Sequence, residues 1–197
     1  MTTTQLQPAV FLDRDGTLIR EVGYLRRPEQ IELLDGVPAA LRALRKGGFK
    51  TVVVTNQSAV ARGWLTEAGL NQIHGLIQDR LAEQGARLDG IYYCPHHPSE
   101  GVGGYRMACD CRKPNPGMIL RAAEDLALEP KRSYVVGDQA VDRELALRVG
   151  AMPVLVRRNG EQMLVDDNFP TPVFANLRLA ADWILARRQA QIEGVVR

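Results

Sequence analysis

Ala9-Val10-Phe11-Leu12-Asp13-Arg14-Asp15-Gly16-Thr17 joins a short, wholly apolar run to two carboxylates that stand two residues apart. A run of this length, bounded by turn residues, reads as a buried strand, and the carboxylates fall where it ends. In an extended chain residues i and i+2 point to the same side. Asp13 and Asp15 can therefore face one substrate, while Gly16 lets the backbone turn sharply. One carboxylate can attack and the other can move protons, which outlines a phosphoryl-transfer site. A plain strand-ending turn is the competing explanation, because Asp and Gly are ordinary turn residues. The choice between them rests on the rest of the chain.

Further β-rich runs occur at Thr51 to Thr55, Ile91 to Cys94, Tyr134 to Gly137 and Pro153 to Val156. Helical patterns lie between most of them, over Gly36 to Lys46, Thr66 to Gln84, Pro116 to Leu126 and Val141 to Val149, and a last one covers Asn176 to Gln189. Strands alternating with helices predict an α/β protein with a parallel sheet. The runs are apolar throughout and do not alternate, so both faces of the sheet are expected to be covered. Thr66 offers an N-cap, and Lys46-Gly47-Gly48 a helix stop. The polar stretch from Arg157 to Pro172 reads as a surface loop and not as a hinge. With 197 residues and no linker or repeat, one domain over 1–197 is expected.

The 25 basic and 23 acidic residues give a net charge of +2, too little for a nucleic-acid footprint in the absence of a basic stripe. The segment Met-Thr-Thr-Thr-Gln-Leu-Gln-Pro lacks the character of a signal peptide, and no apolar run approaches a membrane span. Those features predict a cytoplasmic protein with neither nucleic-acid nor membrane partners. The three cysteines, Cys94, Cys109 and Cys111, are odd in number and close together, which suits a metal cluster better than a disulfide framework.

Asp13, Thr55 and Asp138 each follow an apolar run, at the sheet edge where parallel α/β proteins bind ligands. Asp13-Arg-Asp-Gly-Thr, Thr55-Asn56-Gln57-Ser58, Arg112-Lys113-Pro114 and Gly137-Asp138-Gln139-Ala-Val-Asp142 resemble, in this order, the four motifs of the haloacid-dehalogenase-like phosphatases. The resemblance implies a three-layer Rossmann-like sheet, with Asp13 as nucleophile and Asp15 as general acid and base. By the same resemblance Thr55 and Lys113 stabilise the transferring phosphoryl group, and Mg²⁺ is held by Asp13, Asp138 and the main-chain carbonyl of Asp15. Asp142 would orient Lys113 or a metal-bound water.

Cys94-Pro-His96 and Cys109-Asp-Cys111, twelve residues apart, offer three thiolates and an imidazole. This is the ligand complement of a closed structural zinc site, and the intervening loop has too few apolar residues to fold without one. His97 is the adjacent alternative ligand. His74, inside a helical pattern, reads as a surface or partly buried histidine and not as a ligand.

With this loop included, the chain is similar to the heptose 1,7-bisphosphate 7-phosphatases. The match includes Val-Val-Val-Thr-Asn-Gln-Ser, Ala-Arg-Gly at 61–63, Gly90-Ile-Tyr-Tyr-Cys-Pro-His-His-Pro and Cys109-Asp-Cys-Arg-Lys-Pro. The resemblance implies that a sugar bisphosphate lies against Glu21, Val22, Gly23, Tyr24, Thr55, Asn56, Gln57, Ser58, Arg112 and Lys113. At Gln139 the family pattern implies a lysine. Glutamine keeps hydrogen-bonding capacity there without the charge. The short spacings from Thr17 to Thr55 and from Thr55 to Lys113 leave little room for a cap domain, so a capless core and a monomer are expected. Histidinol-phosphate phosphatase is the nearest rival, and an inactive zinc-binding interaction module is the rival from another class.

Overall fold

In the computed structural model, which describes residues 6–157 and 171–194, the chain forms six parallel strands. These are β1 (Ala9–Leu12), β2 (Lys50–Asn56), β3 (Gly90–Cys94), β4 (Tyr134–Gly137), β5 (Met152–Val156) and β6 (Val173–Phe174), in the order β3-β2-β1-β4-β5-β6. The helices are α1 (Val37–Lys46), α2 (Ser58–Ala61), α3 (Glu67–Ala82), α4 (Gly117–Leu126), α5 (Ala140–Val149) and α6 (Leu177–Ile192). This is the α/β architecture read from the sequence. The two-residue β6 and four-residue α2 are too short to carry a period and are additions to that reading. Most of the stretch read as a polar loop, from Arg157 to Pro172, lies outside the described residues.

The apolar runs do not alternate because each side of the sheet has its own core. Val10 and Leu12 pack with α1, α3 and α6 on one face, while Ala9 and Phe11 pack with α4 and α5 on the other. A strand in this setting must be apolar at every position, and each fully buried aliphatic side chain contributes roughly 1.5–3 kcal/mol. Thr66 and Asn176 cap α3 and α6, their side chains accepting from the amides of Gly69 and Leu179 at 3.0 Å. Between β1 and β2 the chain makes a flap from Arg20 to Glu32, closed at its base by Arg20 N–H to the Glu32 carbonyl. Buried Leu25 and Ile31 pin this flap to the core. Among the described residues, neither this segment nor the one between β2 and β4 forms a separate cap. No described helix is long and apolar enough to cross a membrane.

Asp89 fastens the far end of the sheet. Its carboxylate, only 7% exposed, accepts from Arg45 at 3.0 Å, Lys50 at 3.2 Å and the Thr51 amide at 3.0 Å. Burial alone would raise its pKa, but the Thr51 amide and the two cations prevail and hold it below the ordinary carboxylate value. A depressed pKa contributes stability that is present above about pH 4 and lost as pH falls through the folded value. Asp89→Asn is therefore expected to cost about 1–3 kcal/mol at pH 7, and the gap to wild type should narrow below about pH 4. Urea denaturation at several pH values checks this, and a gap independent of pH would contradict it.

Candidate active site

The ends of β1, β2 and β4 bring three sequence segments to one crevice, as parallel-sheet topology requires. The Asp13 amide continues the ladder by donating to the Val136 carbonyl at 2.9 Å. The chain then turns through Gly16, whose φ of +81° favours a residue without a Cβ. A cavity of about 270 Å³ opens here, lined by Asp13, Asp15, Thr55, Asn56, Gln57, Ser58, Arg112, Lys113 and Gln139, among others. From the flap, Glu21, Gly23, Tyr24 and Leu25 line it too. Val22 does not. It lines an adjoining groove with Arg26 and Gln30, which Gly23 and Tyr24 share with the cavity.

Lys113 is the electrostatic centre. Its Nζ lies 2.6 Å from Asp13 Oδ1 and 2.7 Å from Asp142 Oδ1, all three groups being buried. Burial works against the ammonium charge, but the two carboxylates outweigh it and hold Lys113 above the ordinary lysine value. Burial, with the charges of Asp142 and Asp15, pushes the Asp13 carboxyl up to about 7 against the pull of Lys113. The Lys113 peptide is clamped on both sides by Asn56, which accepts from its N–H at 3.0 Å and donates to its carbonyl at 3.2 Å.

Carboxylate oxygens of Asp13, Asp138 and Asp142 come within 4.8 Å of one another. One ammonium offsets only one of these three buried charges, so the donor set fits a hard divalent cation that prefers oxygen.

Asp15 is held by Arg14, which no motif reading singled out, and by Gln57, expected as a residue lining the substrate. Arg14, the spacer of the motif, is 2% exposed and grips the Asp15 carboxylate through Nε and Nη2, the shortest contact being 2.8 Å. Gln57 accepts from Arg14 at 2.8 Å and donates to both Asp15 Oδ2 and Thr55 Oγ1 at 2.9 Å. Since the Thr55 hydroxyl accepts from Gln57, its own proton is left for a ligand. His74 is buried, where a surface or partly buried position was expected. Its Nε2 sits 3.1 Å from Arg14 Nη1. Burial, aided by the Arg14 charge, lowers its pKa to about 3, so the neutral ring accepts at Nε2 and carries its proton on Nδ1. No local pattern revealed these partners, because His74 and Gln57 meet Arg14 only through the fold.

The Cys94, Cys109 and Cys111 sulfurs lie 3.2–3.5 Å apart, with His96 Nδ1 at 3.4 Å from Cys111 and 3.8 Å from Cys94. No disulfide joins them. A zinc–sulfur tetrahedron with bonds of about 2.3 Å has edges of roughly 3.7 Å, so this donor set fits one zinc ion. His97, the alternative ligand, instead accepts from the Ser99 and Glu100 amides and caps the loop. The cluster touches the crevice through Arg112, whose Nη1 donates to the His96 carbonyl and to Ser58 Oγ, both at 2.9 Å.

An acidic motif after the first strand, a lysine bridging it to a second acidic segment, and a hydroxyl at the C-terminal end of the second strand define a phosphatase of the haloacid-dehalogenase-like class. Residues 110–180 match the HAD-hydrolase-like family model. The chain is 43% identical over 178 residues to the D-glycero-β-D-manno-heptose-1,7-bisphosphate 7-phosphatase of Escherichia coli K12, covering 90% of this chain and 88% of that protein. It is 48% identical over 155 residues to the Haemophilus influenzae enzyme of the same name, covering 77% and 83%. A crystal structure of D,D-heptose 1,7-bisphosphate phosphatase from B. bronchiseptica, complexed with magnesium and phosphate, superposes with a TM-score of 0.79 at 33% identity, over 91% of this chain and 99% of that one. The chain belongs to the D-glycero-β-D-manno-heptose-1,7-bisphosphate 7-phosphatase family.

Gly137 leaves room for Asp142. A Cβ at 137 would lie 2.2 Å from the Asp142 carboxyl carbon, so Gly137→Ala must displace the carboxylate from Lys113. Misplacement of about 1 Å in such a site costs on the order of 100-fold in rate. Steady-state assays of Gly137→Ala should show that loss in kcat, and wild-type kcat would contradict it.

Proposed function

We propose that the protein removes the C7 phosphate of D-glycero-D-manno-heptose 1,7-bisphosphate through an aspartyl-phosphate intermediate, on the route to the ADP-activated heptose of lipopolysaccharide. The observation that carries the chemistry is Lys113 bridging Asp13 and Asp142 beside Asp15 in one cavity. The substrate is carried by the identity to enzymes of that name over most of both chains.

In this reading Asp13 Oδ attacks phosphorus in line, and the bond from phosphorus to the C7 oxygen breaks. Asp15 gives its proton to the departing oxygen, which leaves as the free C7 hydroxyl. Asp15 then takes a proton from water while the water oxygen attacks phosphorus. The acyl-phosphate bond breaks, and inorganic phosphate and free Asp13 result. Lys113 and the Thr55 hydroxyl stabilise charge on the phosphoryl oxygens, and Arg14 with Gln57 fixes the plane of the Asp15 carboxylate. Asp13, Asp138 and the main-chain carbonyl of Asp15 would hold Mg²⁺, which supplies the further positive charge that a nucleophilic Asp13 needs beside a phosphate dianion. Asp142 orients Lys113.

Glu21, Gly23, Tyr24, Asn56, Ser58, Arg112 and Gln139 line the space left for the sugar and its second phosphate. Cys94, His96, Cys109 and Cys111 would hold a structural zinc ion that fixes the loop carrying Arg112. Three cysteines this close with no disulfide among them suit a reducing compartment, which supports action in the cytoplasm. Large exposed apolar side chains such as Leu120, Leu147 and Ile192 are scattered along the chain, in keeping with a single-domain monomer.

Side-by-side assays of the pure protein with Mg²⁺ on heptose 1,7-bisphosphate and histidinol phosphate test the reading. A kcat/KM at least about 100-fold higher on the heptose is expected. A preference for histidinol phosphate would refute the substrate, and no Mg²⁺-dependent release from either would refute the chemistry.

A further inference from the structure

Tyr24 is the one aromatic flap residue that lines the catalytic cavity, and it does not stand alone. Its ring meets Trp64 edge-on, with centroids 4.7 Å apart and an interplanar angle of 83°. Trp64 follows α2 and lies outside the cavity lining, 45% exposed. Two guanidinium groups sit against this pair. Arg26 stands 4.1 Å from the Trp64 ring centre, and Arg62 stands 5.1 Å from Tyr24 and 5.5 Å from Trp64. All three distances are within range of an attraction to the ring faces. Arg62 also pairs with Glu100, on the loop between the two halves of the cysteine cluster, and the Val102 amide of that loop donates to the Ala61 carbonyl at 2.8 Å.

A half-exposed indole adds little to the core, so its placement calls for another reason. The contacts run unbroken from the cysteine-bearing loop through Arg62 and Trp64 to a ring in the cavity wall. An aromatic ring in such a wall packs against the C–H groups of a polyol while leaving its hydroxyls to water and polar side chains.

We propose that Trp64, clamped by Arg26 and Arg62, is the positioning residue that holds Tyr24, already placed against the sugar, as a wall for the polyol part of the substrate. This inference rests on the sugar-bisphosphate reading above. A small aryl phosphate such as p-nitrophenyl phosphate has no polyol for the wall to grip, so the two substrates separate positioning from general damage.

Kinetics of Trp64→Ala on both substrates test it. KM for heptose 1,7-bisphosphate should rise about tenfold with kcat changed less than about twofold, and the heptose-to-aryl ratio of kcat/KM should fall about tenfold. Trp64→Phe should recover most of that ratio. The double variant Tyr24→Ala/Trp64→Ala should be no worse than Tyr24→Ala alone, because Trp64 acts only through Tyr24. Arg26→Gln, at an exposed position, keeps the test open should Trp64→Ala fold poorly, and its ratio should fall about threefold. A wild-type ratio in Arg26→Gln, equal losses on both substrates in Trp64→Ala, or additive losses in the double variant overturn the inference. Wild-type protein inactive on the heptose would instead overturn the substrate reading.

Discussion

Asp13→Asn is expected to abolish phosphate release, with a fall in kcat of about 10⁴-fold or more, while the protein stays folded. The amide has the shape of the carboxylate but no negative oxygen to form the bond to phosphorus, so the covalent route closes. A 10⁴-fold loss corresponds to about 5.5 kcal/mol of transition-state stabilisation. Lys113 keeps Asp142 as a partner at 2.7 Å, so the substitution does not strand a buried ammonium. Asp15→Asn should cost less, about 10²–10⁴-fold, since it removes proton transfer and leaves the nucleophile in place. Phosphate release and circular dichroism on the same preparations separate chemistry from folding. Activity near wild type in Asp13→Asn would refute the choice of nucleophile.

The second large effect is expected from the cysteine cluster. Wild-type protein should retain about one zinc ion per chain by elemental analysis, and Cys111→Ser should lose it. A closed structural site contributes directly to folding. Its loss should lower the melting temperature by roughly 5–10 °C. Activity should also fall by about 10–100-fold, because Arg112 is steered by the His96 carbonyl and Lys113 follows it directly. Assays are run with Mg²⁺ in excess, so that the loss is assigned to the loop and not to the aspartate site. Unchanged melting temperature and activity in the zinc-free variant would show that the loop does not depend on the metal.

What could be read from the sequence follows from how locally each feature is encoded. The first five strands and the longer helices were legible because residues buried on both sheet faces are apolar at every position, as Ala9 to Leu12 show. Asp13, Thr55 and Asp138 were legible because a strand's end is a sequence-local event. Cys94, His96, Cys109 and Cys111 were legible from spacing and ligand chemistry. Arg14 was not, since its burial depends on His74, sixty residues away, and on Gln57. The Tyr24–Trp64 pair was missed for the same reason. Val22 is expected against the substrate with its neighbours; it lines the adjoining groove and not the cavity itself, a detail an irregular flap does not encode locally.

Phosphorus NMR of heptose 1,7-bisphosphate incubated with the wild-type protein and Mg²⁺ tests the central claim most directly. The expected result is loss of the C7 phosphate resonance matched by inorganic phosphate, with the anomeric C1 phosphate retained. Loss of the C1 resonance first, or of neither, would contradict it.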